Sequence, residues 1–302
     1  MNKIITERET ISPITRQDIY QHYINKYYNA FMSRYECTKG LDIEQFEYML
    51  KQFWVNGSIA CFKLEGSEGA TNHPQGAVVL CPFAPSQYNI YDFPTMATMI
   101  NTRGVRFIPS RSLKVNEEVV VGYIQKSKRS VRYMVEYYLK KIVDIEMTIR
   151  TNLKAMKTPW LLGVSPENKT KMESIWKALD GDNPKLFIDI DDVNSIKALV
   201  SGANYNIDKL YDLRCAYENE LKEYLGIDNL GVTEKKEHLI TSEIEANNEV
   251  IETNKESFIS VLDEFTDRVK QVLNYDIEIR IKDTPMETKF SKEDKKLEEE
   301  SY

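Results

Sequence analysis

The segment formed by residues 206–251 constrains the fold of this chain most strongly, because it predicts two long helices joined by a short polar loop. Apolar side chains recur every three or four residues on both sides of the loop, as in helices that bury one face. Gly226 predicts the end of the first helix. The loop carries Lys235 and Lys236 with a glutamate on either side. The segment therefore indicates a rigid pair of helices that presents a small cationic loop.

A heptad-like seam of apolar residues runs through residues 131–157 and again through residues 241–272. A Thr-Pro pair directly after residue 157 stops the first of these helices. Asn247 and Asn254 lie on the second seam, and we interpret them as residues that fix the register of helix packing. Taken alone, the seams also support a different hypothesis, a cellular coiled-coil scaffold that forms a dimer to tetramer.

The rest of the chain mixes helices and strands, so the predicted fold class is α+β, mainly α. Tyrosines at helical spacing in residues 17–35 are interpreted as core-facing residues rather than as a platform for stacked bases. A second helix is expected over residues 42–53. β-Branched runs predict strands, and clusters of Gly, Pro and Asn predict loops. The predicted strands are 58–62, 76–80, 118–123, 160–164, 186–190 and 277–281, and the predicted loops are 66–74 and 82–87.

Composition excludes several classes of protein. No run of about 18 apolar residues is present and the N-terminus is unlike a signal peptide, so we expect no membrane span and no secretion. The four widely spaced cysteines indicate reduced thiols, partly in the core, of a protein made in the cytoplasm. Residues 241–302 hold nine basic and 17 acidic side chains, a net charge of −8. Such a chain does not grip nucleic acid tightly, although it can surround it.

No sequence motif indicates an enzyme or a cofactor site. The phosphate-binding Gly-rich loops and the common hydrolase motifs are absent, and three scattered histidines form no metal-binding pattern. Asp189 and Asp191 could bind magnesium in a nuclease, which is a second alternative hypothesis. A solvated acidic turn explains the same two residues. We therefore expect no catalytic residue, no metal and no cofactor.

The paired lysines become informative if many copies of the chain form a ring. One loop per copy would then place a belt of ammonium groups around a central axis. Lysine suits a moving polyanion, because it is a flexible point charge without the fork that locks arginine onto a phosphate. Acidic residues around the belt would keep each contact short-lived.

An ordered series of short motifs lies between residues 157 and 252. Its members are Lys157-Thr158-Pro159, Asp208-Lys209-Leu210, Asn219-Glu220, Leu225-Gly226-Ile227, Glu234-Lys235-Lys236-Glu237, Glu243, Asn247 and Ile251. In type and in nearly unbroken spacing, this series resembles the upper-collar protein of small tailed phages of the Bacillus podovirus type. That family is also called the head–tail connector or portal protein. Before residue 157 the similarity is weaker and is best at residues 52–53 and 118–124.

The resemblance implies a portal-protein fold, in which twelve copies surround a channel for double-stranded DNA. In such a fold, long stem helices join a wide, mixed end to a narrow end that carries a small α/β insert. Lys209, Lys235 and Lys236 match the channel lysines of the family. The implied regions are a wide-end domain at 1–130, a stem helix at 131–157, a narrow-end insert at 158–204, a second stem helix at 205–227, a channel loop at 228–240, a wide-end helix and strand at 241–282 and a charged tail at 283–302.

The resemblance also implies the partners. These are further copies of the chain, double-stranded DNA bound without sequence preference, the major capsid and scaffolding proteins, the packaging ATPase and the lower-collar or tail protein, with no membrane. The protein would be assembled in the host cytoplasm and lie at the portal vertex of the virion. Val200 stands where the family has a further channel lysine, and Lys197 lies near that position but out of register. Residues 1–10 are less basic than the RNA-linked tail of the family, so no RNA contact is expected.

Overall fold

The structure is a computed structural model that describes residues 14–64, 76–101, 104, 108–157, 160–163, 197–200, 205–227 and 241–282. The chain divides into two compact units, the first comprising residues 1–141 and 216–302 and the second residues 142–215. The helices are α1 (Arg16–Arg34), α2 (Ile43–Val55), α3 (Val131–Lys157), α4 (Ile207–Tyr224) and α5 (Thr241–Leu273). The strands are β1 (Tyr35–Lys39), β2 (Ser58–Lys63), β3 (Val78–Cys81), β4 (Phe83–Tyr88), β5 (Pro94–Met99), β6 (Ser112–Lys114), β7 (Val119–Tyr123), β8 (Trp160–Gly163), β9 (Lys197–Val200) and β10 (Glu278–Ile281).

The two N-terminal helices begin at capping boxes and pack on each other through aromatic rings. Thr15 caps α1 and Asp42 caps α2, and in each case the side chain three residues later accepts from the N–H of the capping residue. The ring centroids of Phe31 in α1 and Trp54 in α2 lie 5.6 Å apart. The interpretation of α1 as a core-facing helix is confirmed. Its buried residues are Tyr23, Ile24, Tyr27 and Phe31.

Two antiparallel sheets with the strand orders β3-β2-β7 and β4-β5-β6 share one core in the first unit. Helix α5 packs on β7, and a Cβ added to Gly122 in β7 would lie only 2.6 Å from the ring of Phe265 in α5. Gly122 therefore permits the close approach of helix and strand. The shared core consists of Ala60, Phe62, Cys81, Ala97, Met99, Leu113, Val119 and Val121.

Strand β1 pairs antiparallel with β10, so the two parts of the first unit that are farthest apart in sequence are joined by a two-stranded sheet. Tyr35 stands opposite Ile281 in this pair, and burial raises the pKa of Tyr35 to about 12. The alternating pattern of residues 277–281 predicts β10, and this is confirmed. The sequence analysis did not predict β1, because its five residues follow α1 directly and Tyr35 continues the helical spacing of tyrosines that was assigned to residues 17–35.

The prediction of a loop at residues 82–87 is wrong. Most of that segment belongs to β4, which pairs with β5 at the edge of its sheet. Pro85 has no N–H to donate, and such a residue is tolerated at an edge because only one side of the strand needs hydrogen bonds. The register is irregular between Pro85 and Gln87, which accommodates the proline. The predicted loop at 66–74 and the predicted strand at 186–190 lie outside the described residues.

The helices predicted from periodicity are confirmed, since α3, α4 and α5 occupy the stretches that carry the apolar seams. The predicted strands at the positions of β2, β3, β7 and β8 are confirmed as well. Strand β8 pairs antiparallel with β9, with Trp160 opposite Val200. The fold class, α+β with mainly helical content, is therefore confirmed. The division into stem, insert and channel loop stays a prediction.

The prediction that the cysteines lie partly in the core is confirmed. Cys61, Cys81 and Cys215 are buried, whereas Cys37 is half-buried. Burial raises the pKa of the Cys61 thiol to about 12, so this thiol is kept in its neutral form.

Candidate nucleic-acid interface

Lys209, one of the predicted channel lysines, lies in the first turns of α4 and is exposed. The hydroxyl of Tyr205 donates to Asp208 Oδ1 at 2.7 Å, and the Leu210 N–H donates to the Asn206 carbonyl at 3.1 Å. These contacts start the helix. The side chain of Lys209 takes part in neither of these contacts.

The surroundings of Lys209 are acidic. Asp208 precedes it, and Asp212 lies three residues later on the same side of the helix, and both are exposed. An exposed ammonium group near carboxylates makes weak, salt-screened contacts. Such a group can touch a phosphate briefly without holding it.

The other end of α4 stops abruptly at Gly226. This residue has a φ of +62°, its N–H donates to the Glu223 carbonyl at 2.9 Å, and the Ile227 N–H donates to the Lys222 carbonyl at 2.8 Å. The two bonds form a Schellman motif. A Cβ on Gly226 would lie 2.7 Å from Arg34 Nη2. Both the backbone conformation and the lack of space therefore require glycine.

Side chains from α1 and α5 hold the same end of α4. Arg34 of α1 donates through Nη1 to the Leu225 carbonyl, and Asn254 of α5 donates through Nδ2 to the Glu223 carbonyl at 2.8 Å. Burial lowers the pKa of the Arg34 guanidinium, which also lies 5.6 Å from the ring centroid of Phe258. Asn254 thus has the packing role that its place on the seam indicates, whereas the side chain of Asn247 lies outside the described residues. The chain leaves α4 from a fixed point.

A buried carboxylate ties the C-terminal half of α4 to α1. Glu218 is buried and accepts hydrogen bonds from Lys26 Nζ and, at 3.1 Å, from the Tyr27 hydroxyl. Lys26 is itself half-exposed, so its ammonium group keeps contact with water. A buried carboxylate without such donors would be strongly unfavourable. The pair therefore fixes the position of α4 against α1.

The structure describes Lys209 but not the other predicted site residues. Lys235 and Lys236, the remaining channel lysines, lie outside the described residues, and so do Asp189 and Asp191 of the nuclease hypothesis. The described residues therefore do not test whether the three lysines lie together. Lys197 begins β9 opposite Gly163.

The sequence analysis missed a basic surface in the first unit. Residues 126–141 hold six basic side chains and one acidic side chain. Arg129 lies 4.7 Å from the ring centroid of Tyr133, and Lys141 lies 4.4 Å from that of Tyr137; both rings are half-exposed. The signal was the four-residue spacing of cations and tyrosines, which a charge count over whole segments does not reveal.

Within the described ranges, no group of three or more His, Cys, Asp or Glu side chains is arranged to hold a metal ion. No helix in the part of the chain that the structure describes combines the length and the apolar character of a membrane span.

Residues 2–286 match the model of one protein family, described as Phage Connector (GP10). The match covers nearly the whole chain and includes the anchored end of α4. The chain belongs to the phage connector family. This membership confirms the family-level part of the resemblance. It also leaves the hypothesis of a cellular coiled-coil scaffold without support, since that hypothesis rests on the seams alone.

Several solved structures are similar to this connector-family chain at low identity. A chain of the portal and tail of native bacteriophage P68 is 14% identical, with a TM-score of 0.48 and coverage of 95% of this chain and 93% of that one. An HK97 family phage portal protein from Corynebacterium diphtheriae is 10% identical, with a TM-score of 0.49 and coverage of 88% and 96%. A chain of the virion of a native gene transfer agent particle is 9% identical, with a TM-score of 0.49 and coverage of 96% and 90%. These values are too low to transfer a function.

Proposed function

We propose that this chain is the portal subunit of a small tailed phage of the Bacillus podovirus type. Twelve copies form a ring through which double-stranded DNA enters and leaves the capsid, and the ring joins the capsid to the tail. The family match over residues 2–286 carries this proposal. The ordered motifs between residues 157 and 252 support the finer assignment to the podovirus type. The protein acts by position and charge and performs no catalytic step.

Exposed apolar side chains in the second unit support an assembly of several copies. They continue the seams of α3 and α4, where a single chain would be expected to bury them. Leu153, Met156, Tyr211 and Leu213 are between 43% and 48% exposed. Exposed apolar surface of this kind is typical of interfaces between subunits.

We further propose that Lys209, Lys235 and Lys236 line the channel. The exposed position of Lys209 and its acidic neighbours support a transient contact with a passing phosphate backbone. The fixed end of α4 supports the loop assignment, because the chain continues from Gly226 directly into residues 228–240. A loop that starts from a fixed point has a limited reach, so every copy would present its lysines at a similar radius.

The remaining partners follow from the same assignment. The wide end would contact the major capsid and scaffolding proteins, and the narrow-end insert at 158–204 would dock the packaging ATPase and later the lower-collar or tail protein. The protein would be located at the portal vertex of the virion after assembly in the host cytoplasm.

Electron microscopy of the purified full-length protein tests the assembly. We expect rings with a central hole and twelvefold symmetry. Native mass measurement on the same sample gives the number of copies independently. A protein that stays monomeric under every condition that favours assembly would contradict the proposed function.

A packaging assay with variant portals tests the channel assignment. The double change Lys235→Ala and Lys236→Ala should leave ring assembly intact and lower the amount of DNA retained late in packaging. Lys51→Ala serves as the matched control, because Lys51 is an exposed lysine on α2 outside the predicted channel set. Normal genome content in particles with the double variant would refute the loop assignment while leaving the ring in place.

A further inference from the structure

The hairpin of β4 and β5 ends in an exposed apolar tip, formed by residues 88–93. Ile90, Tyr91 and Phe93 are 88%, 72% and 55% exposed. The turn is nevertheless well ordered, because the side chain of Asn89 accepts hydrogen bonds from the N–H groups of Tyr91 at 2.9 Å and Phe93 at 3.0 Å. An ordered, protruding apolar turn is preorganised for insertion into another surface.

One cation of the segment after β7 contacts this tip, and two others lie close to it in sequence. Lys128 Nζ lies 4.4 Å from the ring centroid of Phe93 and donates to the Asp92 carbonyl at 3.2 Å. Lys126 and Arg129 are exposed on the same turn. The tip is therefore an apolar knob that carries one exposed carboxylate, on Asp92, and is contacted by Lys128. We call Lys126, Lys128 and Arg129 its collar.

A groove on another side of the first unit has the opposite character. It lies between α1, β1 and α2 and has a volume of about 530 Å³, which falls within the roughly 300–1,000 Å³ of typical ligand sites. Ile43, at its edge, is 78% exposed. Carboxylates outnumber cations among its described lining residues, where Lys282 is the only basic side chain, although Glu36 is paired with Arg280 of β10. The apolar lining residues are Met32, Leu41, Ile43, Phe46 and Leu50, and the acidic ones are Glu36, Asp42 and Glu47.

The tip and the groove of one chain are separate surfaces. A Cβ added to Gly57, just after α2, would lie 2.5 Å from the backbone of Arg129, which places the collar of the tip at the C-terminal end of the helix. The groove lies along the helix from Asp42 to Leu50, and no residue of the tip is among its described lining residues. Since the ordered tip does not enter the groove of its own chain, the groove is left for the tip of another copy.

We propose that the hairpin tip of one copy inserts into the groove between α1 and α2 of the next copy. The knob fits the concave surface, apolar residues meet apolar residues, and the cationic collar meets the acidic rim. The contact is heterologous, because it joins two different surfaces, and such contacts close into rings when the rotation between copies permits. This inference rests on the proposed ring and names one contact that holds it together.

Two single changes at exposed positions test the contact without disturbing the core. Ile90→Asp places a charge on the tip, and Ile43→Asp places one at the edge of the groove. Each variant alone should need at least about tenfold more protein to form rings, as expected for the loss of a central apolar anchor. Val250→Asp is the matched control, because Val250 is 48% exposed on α5 and lies on neither surface. Circular dichroism checks that all three variants are folded.

Mixing the two variants gives the decisive result. The Ile43→Asp variant keeps an intact tip, and the Ile90→Asp variant keeps an intact groove. An equal mixture can therefore make one contact per pair of copies. It should form dimers that grow no further, because the free tip and the free groove of each dimer both carry a substitution. Native mass measurement distinguishes these dimers from monomers and rings. If either variant alone forms rings at the wild-type concentration, or if the mixture forms complete rings, the proposed contact between tip and groove is refuted. The proposed ring would not be affected by that result. If the wild-type protein itself forms no ring, the proposed function fails first.

Discussion

The two halves of α4 differ in how the rest of the chain holds them. In the C-terminal half, Glu218 is bound by Lys26 and Tyr27, and the last carbonyls are bound by Arg34 and Asn254. In the N-terminal half, Arg214 is paired with Glu146 of α3 at 3.4 Å, but the described polar contact of the first turn joins two exposed side chains three residues apart. One helix thus has an anchored C-terminal half and a solvent-facing first turn.

This difference separates the residues that stabilise the position of α4 from the residues that present charge to a partner. Buried groups that make hydrogen bonds fix where a helix lies, and substitutions there are costly. Exposed charges near the start of the same helix contribute little to folding and remain available to a partner. The comparison therefore predicts a gradient of stability effects along α4, from Gly226 down to Lys209.

The largest effect is expected at Gly226. Gly226→Ala should lower the free energy of unfolding by about 3 kcal/mol, because a Cβ costs energy at positive φ and also collides with Arg34. Gly104→Ala is the matched control, since Gly104 has a φ of +65° but no atom within 4 Å of the added Cβ. Denaturant titration of both variants measures the difference. Equal losses in the two variants would mean that the end of α4 is not tightly packed.

A smaller loss is expected for the buried carboxylate. Glu218→Ala should lower the free energy of unfolding by about 2 kcal/mol, because it removes two hydrogen bonds to a charged group and leaves the Tyr27 hydroxyl buried without that acceptor. Glu220→Ala, at an exposed position two residues later, should change stability little. The same titration tests both. A loss for Glu218→Ala no larger than that of the control would place Glu218 outside the anchor.

Asn254 should contribute about half as much as Glu218 to the free energy of unfolding. Asn254→Ala removes one hydrogen bond to the Glu223 carbonyl, which still accepts from Gly226, so we expect a loss of about 1 kcal/mol. Thr253→Ala is the control, because Thr253 is exposed and its hydroxyl donates within its own helix to the Glu249 carbonyl. Thermal unfolding should separate the pair. If both variants behaved alike, Asn254 would not connect α5 to α4.

The smallest effect on folding is expected at Lys209. Lys209→Ala should change the free energy of unfolding by less than about 0.5 kcal/mol, because the side chain is exposed. The rate of DNA packaging should instead be altered, and the alteration should shrink as salt is raised and the charges are screened. A loss of stability as large as that of Asn254→Ala would break the contrast between the two halves of α4.

Helices of this chain were predictable because their apolar residues repeat over many turns. The seam through Val131, Val135 and Ile142 continues long enough to identify α3 unambiguously. Burial along the same seam was not predictable, since Leu153 and Met156 are half-exposed although they fit the pattern. Periodicity reveals which face is apolar, whereas what covers that face depends on the other elements and on other copies.

Strand pairing across long distances was beyond prediction from the sequence. The partner of β1 is β10, about 240 residues away, and the pairing requires both halves of the first unit to be folded. The prolines that suggested a loop at residues 82–87 instead occupy or border an edge strand. In the candidate site, the channel lysines stay a prediction from the ordered motifs, and the anchors Arg34 and Glu218 belong to contacts that no local pattern encodes.

The uneven burial of the thiols has a practical consequence for labelling. Cys37 lines the groove between α1 and α2 and is half-buried, while Cys61, Cys81 and Cys215 are buried and burial raises the pKa of Cys61 and Cys81. A maleimide dye should therefore react at Cys37 well before the other three positions. Fluorescence from that single label would report, in the unmodified sequence, whether the groove is empty or occupied as copies associate.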